Sequence, residues 1–330
     1  TRALALGAAT AGLSAILSLP YNLYADWWRE TQYGRTSQPL GDWLSQAAIG
    51  MALSSLALAV FFVLLYLLLR RAGALWWLWA GGLVAAAMSF LLLLSPVLIE
   101  PIFNDYRPIP PGEVRDAVLE MAARADIPED RIFVFDGSRQ SNNFTANVSG
   151  VGTSARIAIS DVALGDASLD EVKAVTGHEI GHYVLGHVWR SIGVITAVAV
   201  LMFWLVARTY PAFARTFGTQ APIDDPRGLP VFLFVFGLFL TLATPITNTL
   251  TRVGEREADD YSLRTVNLPD GLASALVKTA EYRYPLAGPV EEAIFYTHPT
   301  VANRVRRAME WKAAHPPAAE GQPAPANAKP

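Results

Sequence analysis

His178-Glu179-Ile180-Gly181-His182 is the stretch on which the reading of this 330-residue chain turns. Just upstream, Ser168-Leu169-Asp170-Glu171 is a capping box, whose serine and glutamate satisfy the free N–H groups of a helix start. The helix it opens is expected to run through Glu179 and beyond. Two histidines at i and i+4 then share one face, about one turn apart. That spacing lets two imidazoles grip one Zn²⁺ at Zn–N distances of ~2.0–2.1 Å. Glu179, between them, reaches a water on the metal rather than the metal itself and can take its proton. The same pair also suits histidines on a helix surface or satisfied in a core, so a third ligand has to decide.

His187 is five residues past His182, about 140° further round a straight helix at ~100° per residue. It cannot join the same metal from there, and it misses the metzincin spacing. It reads as a residue behind the ligands or a structural one. Thr251-Arg252-Val253-Gly254-Glu255-Arg256-Glu257-Ala258-Asp259 offers more. Glu255 and Asp259 share a helix face, so one carboxylate can complete a His₂Glu set while the other holds a ligand histidine by its remaining ring nitrogen. A solvated charged helix fits this stretch equally well. His298-Pro299 followed by Arg304 is the third element, suited to stabilising an oxyanion or, equally, to a helix start with a surface arginine. His315 lies near the C-terminus and reads as inert.

Composition places these motifs in a membrane. Hydrophobic residues are 52%, charged residues 17% and mean hydropathy is +0.29, against about 25% charge in a soluble domain. Five apolar stretches are expected to span: Ala3–Leu23, Ala47–Leu69, Ala74–Ile99, Val194–Ala207 extended back toward Trp189, and Leu229–Leu250. Trp27, Trp28, Trp76, Trp77, Trp79 and Trp189 near their ends suit a headgroup belt. Alternation puts the loop at 26–46, Glu100–His187 and the region from Thr251 onward on one side, where they can share a site. Arginines near the span ends do not favour either orientation. With no cysteine there is neither a thiolate metal site nor a disulfide. A net charge of −3 without a long basic run excludes nucleic acid as the expected partner.

The soluble segment carries a helix expected over Glu113–Ala125, strands at Arg131–Asp136 and Ala155–Ser160, and a third, edge strand within Ser141–Gly152. Helices are expected over Thr251–Leu263, Asp270–Tyr282 and Thr300–Ala313. The division that follows is a membrane region of three spans at 1–99, a catalytic segment at 100–188, two further spans at 189–250, a second catalytic segment at 251–315, and a Pro/Ala-rich disordered tail at 316–330.

Taken in order, these residues resemble the type I CAAX prenyl protease family, integral-membrane zinc metallopeptidases of the gluzincin kind. The likeness is carried by Glu100-Pro101-Ile102-Phe103-Asn104 after a span, and by Phe135-Asp136-Gly137-Ser138 with Ser141-Asn142-Asn143-Phe144. It continues through the H-E-x-x-H helix, Thr251 to Asp259, and Tyr296, His298, Pro299 and Arg304. Leu19-Pro20 through Tyr33-Gly34 resembles the family's segment between two N-terminal spans.

The resemblance implies a mainly α, multi-span helical membrane protein with a gluzincin-type zinc metallopeptidase domain containing a small β-sheet. It implies one Zn²⁺ per chain on His178, His182 and Glu255, with Glu179 as general base and Asp259 orienting a ligand histidine. His298 and Arg304 would bind and polarise the scissile carbonyl, and Asn142 would sit on an edge strand that pairs with an extended peptide. Asn143 stands where the family has alanine, beside the scissile bond, and Thr251 where it has serine. Family members have seven spans against five here, and the matching segments make the first two the missing ones. The implied activity is that of a zinc endopeptidase of the bacterial inner membrane or an endomembrane, acting on a peptide or protein that is lipidated or membrane-associated. The alternatives are a quality-control zinc protease for misfolded membrane proteins and a non-catalytic scaffold of the same fold.

Overall fold

Charge-free apolar runs can satisfy their backbone in lipid only by coiling into helices. In the computed structural model, which describes residues 2–150, 155–280 and 286–316, they do so. Among the described residues four helical runs are long and apolar enough to cross a membrane: Leu40–Arg71, Gly73–Leu98, His187–Thr216 and Pro226–Thr265. The long helices are α1 (Arg2–Asn22), α2 (Leu40–Arg71), α3 (Trp76–Ser89), α4 (Glu113–Arg124), α5 (Leu169–Val184), α6 (His187–Thr216) and α7 (Leu229–Thr265). Shorter helices α8 (Pro269–Lys278), α9 (Pro289–Phe295) and α10 (Val301–Ala314) follow. The first expected span is helical as α1, which packs along α2, but it is not one of the four.

The membrane helices pack on one another through large apolar side chains. Trp76 of α3, Phe203 of α6 and Phe232 of α7 meet at a common point, with Trp76 and Phe203 ring centroids 5.9 Å apart. Their other faces stay uncovered: Leu56 is 64% exposed, Leu242 65% and Ile246 55%. Surface of this kind is costly in water and ordinary in hydrocarbon.

The fourth span is longer at both ends than the sequence suggested. The fifth does not stop at Leu250. It continues as one 37-residue helix, so the expected separate helix at Thr251–Leu263 is the end of α7. Glu255 and Asp259 are therefore carried rigidly by a membrane helix.

Among the described residues four short strands form one sheet in the order β1-β2-β4-β3, with β1 at Tyr106–Pro108, β2 at Ile132–Phe135, β3 at Ala146–Ser149 and β4 at Arg156–Ser160. β2 pairs parallel with β4 (Ile132 opposite Ile157), and β3 pairs antiparallel with it (Ala146 opposite Ile159). β4 is buried along its length, which explains its apolar run. β3 is an edge strand, as expected, though shorter than Ser141–Gly152; residues 151 and 152 of that stretch lie outside the described residues. β1 was not anticipated: three residues ending in proline carry no alternation to read. The sheet packs through Ile132, Ile157 and Ile159 against Val118 and Ala122 of α4 and Val172 and Ile180 of α5.

α5 begins at the capping box. The Ser168 side chain accepts from the Glu171 N–H, and the Glu171 carboxylate accepts from the Ser168 N–H. Thr300 caps α10 by accepting from the Asn303 N–H at 3.3 Å. α8 ends at Lys278, before the Tyr282 expected, and residues 281 and 282 lie outside the described residues, as does the expected disordered tail from 317 on.

Candidate metal centre

α5 and α7 come close enough to share a site because glycine faces the contact. A Cβ on Gly181 would lie 3.1 Å from both Ala258 Cα and Tyr261 Cβ, and one on Gly177 would lie 2.6 Å from Val266 Cγ2. These glycines sit one turn apart on the α5 face that meets α7. The approach brings a nitrogen of His178, a nitrogen of His182 and a carboxylate oxygen of Glu255 within 4.8 Å of one another. His178 Nε2 and His182 Nε2 are 3.1 Å apart, and Glu255 oxygens lie 3.3 and 3.4 Å from them. Tetrahedral zinc with ~2.05 Å bonds needs ligand atoms about 3.3 Å apart. The donor set present fits that ion.

The hydrogen bonds behind the ligands fix which nitrogen faces inward. His178 Nδ1 lies 2.9 Å from Asp259 Oδ1 and donates to it, so Nε2 faces the cluster and is the nitrogen that a metal would take. His182 is held by a longer chain. His187 Nε2 donates to Glu257 Oε2 at 3.0 Å, so its Nδ1 is the acceptor. His182 Nδ1 lies 2.9 Å from that atom and donates to it, which leaves His182 Nε2 free to bind. Arg190 Nη1 donates to the same Glu257 oxygen at 2.7 Å. Sequence spacing placed His187 behind the ligands; it did not reveal that Gly186, at φ +66°, breaks the helix and lets α6 start at His187 in a new direction.

Glu255 and Asp259 do not belong to a solvated helix. They are 6% and 2% exposed, and Arg252 beside them is 6% exposed. Arg252 points across to α9, donating to the carbonyl oxygens of Glu292 (2.9 Å), Ala293 (3.1 Å) and Tyr296, and so ties the end of α9 to α7. Arg304 is equally committed. Its Nε and Nη2 form a forked pair with Asp259 Oδ2 and Oδ1 at 2.8 and 2.7 Å, and its Nη1 lies 3.4 Å from Glu255. It lines the cavity, but most of its donors are spent on Asp259, which holds His178, and on Glu255, which could hold a metal. His298 Nε2 is 3.3 Å from Glu255 Oε1, with its side chain 40% exposed at the cavity mouth.

Burial disfavours a charged His178, but its bonds to Asp259 and Glu255 prevail and hold its pKa up at about 9. A cation bound among the same carboxylates would replace that proton. Glu179 lines the cavity, and desolvation raises its pKa above the usual carboxylate value, which makes it a stronger base.

The cavity beside the triad has a volume of about 330 Å³. Glu179, His178, Glu255, Tyr296, His298 and Arg304 line one part of it, and Phe144, Thr145 and Ala146 bring the edge of β3 to another. Asn142 lies in the loop four residues ahead of β3 rather than on the strand. Its N–H and Nδ2 donate to the carbonyls of Arg35 and Gly34, each at 2.8 Å, because that loop packs on the segment between α1 and α2. Asn143 is half-buried beside it, its N–H donating to Ser141 Oγ at 3.1 Å.

The comparisons with known proteins agree with this architecture. Residues 108–312 match the model of peptidase family M48, and residues 1–105 match the CAAX prenyl protease N-terminal model of five membrane helices. The chain is 28% identical over 224 residues to the uncharacterized metalloprotease YhfN of Bacillus subtilis, covering 66% of this chain and 53% of that protein. It is 28% identical over 312 residues to CAAX prenyl protease 1 of Saccharomyces cerevisiae, covering 89% of this chain and 69% of the relative. It thus spans about half the length of the first and about two thirds of the second. The crystal structure of S. mikatae Ste24p has the same fold, with a TM-score of 0.74 and 22% identity over 91% of this chain and 73% of that one. With its multi-pass membrane helices and its paired α5 and α7, the chain belongs to peptidase family M48.

Proposed function

We propose that this protein is a zinc-dependent endopeptidase of the membrane, cutting a peptide bond with an activated water. The observation that carries the reading is the convergence of His178, His182 and Glu255, from two helices, beside a cavity that also holds Glu179. When bound, Zn²⁺ supplies Lewis acidity, bringing the pKa of a water toward ~7.

The remaining steps belong to the chain's own side chains. His178, His182 and Glu255 hold the ion, with Asp259 and His187 keeping the two imidazoles in the binding tautomer. Glu179 takes the water proton and delivers it to the leaving nitrogen, a transfer that its raised pKa favours. His298 stabilises the carbonyl oxygen as it becomes negative, and Arg304 acts through Asp259 and Glu255. An extended substrate lies along the outer edge of β3, accepting and donating main-chain hydrogen bonds at Ala146, since both main-chain groups of Thr145 are bonded to Ser160.

The relatives named CAAX prenyl protease 1 suggest a lipidated C-terminal tail as substrate. Chelation followed by stoichiometric zinc should abolish and then restore cleavage. A prenylated tetrapeptide tail, offered beside unfolded membrane segments, separates the processing reading from quality control. Zinc retained without turnover of either would leave a scaffold.

A further inference from the structure

Two walls of the cleft come from separate parts of the chain. One is the approach to β3, with Phe144, Thr145 and Ala146; the other is the end of α8, with Thr279 and Ala280. Residues between α1 and α2 reach both. On the β3 side, Arg35 O accepts from the Asn142 N–H at 2.8 Å, Thr36 Oγ1 donates to Gln140 O at 2.7 Å, and Ser37 Oγ donates to Asn142 Oδ1 at 3.2 Å. On the α8 side, Arg35 Nη1 donates to Ala280 O at 2.7 Å.

A single residue therefore binds backbone from each wall: its carbonyl holds Asn142 and its guanidinium holds Ala280. The loop that presents it is itself constrained. The Arg35 N–H donates to Glu30 O at 2.8 Å, and Trp27 Nε1 donates to Gln38 O at 2.9 Å. Gly34 sits at φ +65°, a conformation that favours glycine, and Thr36 is buried.

We infer that Arg35 is a positioning residue that clamps the two walls at a fixed separation, so that the N-terminal membrane region sets the width of the substrate cleft. Walls ordered in advance spare a substrate the entropy of ordering them, which appears as affinity rather than turnover. The consequence for substrate rests on the peptidase reading above; the clamp itself does not.

The test uses the absence of cysteine from the sequence. Thr145→Cys and Val277→Cys place one spin label on each wall of the full chain in lipid nanodiscs, and electron–electron dipolar coupling reads the distance between them. A narrow distribution is expected. Arg35→Ala should broaden it and Arg35→Lys, which keeps a donor and the carbonyl, should largely restore it. With a peptide substrate, Arg35→Ala should raise KM about tenfold and leave kcat within about twofold, with zinc content unchanged. An unaltered distribution in Arg35→Ala overturns the clamp, and a broadened one with unaltered KM overturns its role toward substrate. Should Arg35→Ala fail to fold, Thr36→Val, which removes the hydroxyl's bond to Gln140 O and the one it accepts from the Gln38 N–H, must broaden the distribution to a smaller extent or the clamp is again overturned. A chain that cleaves no peptide refutes the peptidase reading, while the distances still decide the clamp.

Discussion

His187 Nδ1 lies 2.9 Å from His182 Nδ1 across the break at Gly186, so the first residue of a membrane helix is also the partner of a histidine we propose as a metal ligand. Through Glu257 and Arg190 the contact runs on to α7 and back to α6. Replacing His187 by phenylalanine removes the acceptor that fixes the His182 tautomer. Zinc affinity, measured by chelator competition, should fall about 10- to 100-fold. Glutamine, whose side-chain oxygen can accept the same hydrogen bond, should recover part of the loss. Equal affinity in the phenylalanine variant would mean that the pairing does not act on the metal.

The close approach at Gly181 makes a second prediction. A larger side chain must push α5 away from Ala258 and Tyr261, and with them from Glu255. Gly181→Val should cost about 1–3 kcal/mol of stability and weaken zinc binding in the same variant. A thermal melt in detergent with and without added zinc reads both. A stabilised protein, the usual result of removing a flexible glycine from a helix, would show that the contact is looser than described.

Zinc binding should release a proton near neutral pH. His178 in the metal-free site has its pKa held up at about 9, so at pH 7 it carries a proton that the metal must displace. Apparent affinity should rise with pH up to about 9. Titration calorimetry in buffers of different ionisation enthalpy should count about one proton released per zinc at pH 7. No release would show that His178 is already neutral.

Glu171 ties the start of α5 to α8. Burial alone would raise its pKa, but Lys278 at 2.8 Å, Ser274 at 2.6 Å and the Ser168 N–H at 2.8 Å prevail and lower it from 4.5 to about 2. Its contribution to stability is full above pH 4.5 and is lost as pH falls from there toward 2. Glu171→Gln should therefore destabilise the protein at pH 7 by about 2 kcal/mol, allowing for the exposed Lys278, and the difference from wild type should shrink toward pH 3. Melting curves across that range check it, and a constant difference would contradict the assignment.

What was legible in the sequence followed from local rules. The capping box, the i, i+4 histidines and the long charge-free runs each declare themselves within a few residues, and the structure places α5 and the membrane helices accordingly. What was hidden depended on chain segments far apart. The i, i+4 spacing of Glu255 and Asp259 was equally consistent with a solvated helix, and only the packing of α7 on α5 buries them. Arg252 fitted a solvated charged helix, and Arg304 fitted a surface arginine as well as an oxyanion-stabilising one, yet both are held by groups at least 40 residues away. His187 was excluded from the metal on straight-helix geometry; its partnership with His182 depends on the turn at Gly186. β1 is too short to carry a pattern, and the loop at Arg35 gave no sign that it meets Gln140, Asn142 and Ala280.

We propose that one zinc on His178, His182 and Glu255 works with Glu179 to cut a peptide bond. This is tested most directly by measuring zinc content and peptide cleavage together in wild type and Glu179→Gln. Glutamine keeps the shape of the side chain but cannot take a proton, so about one zinc per chain is expected in both proteins, with a loss of at least about 100-fold in kcat in the variant. Full activity in Glu179→Gln, or wild-type cleavage that persists after every zinc is removed, would contradict it.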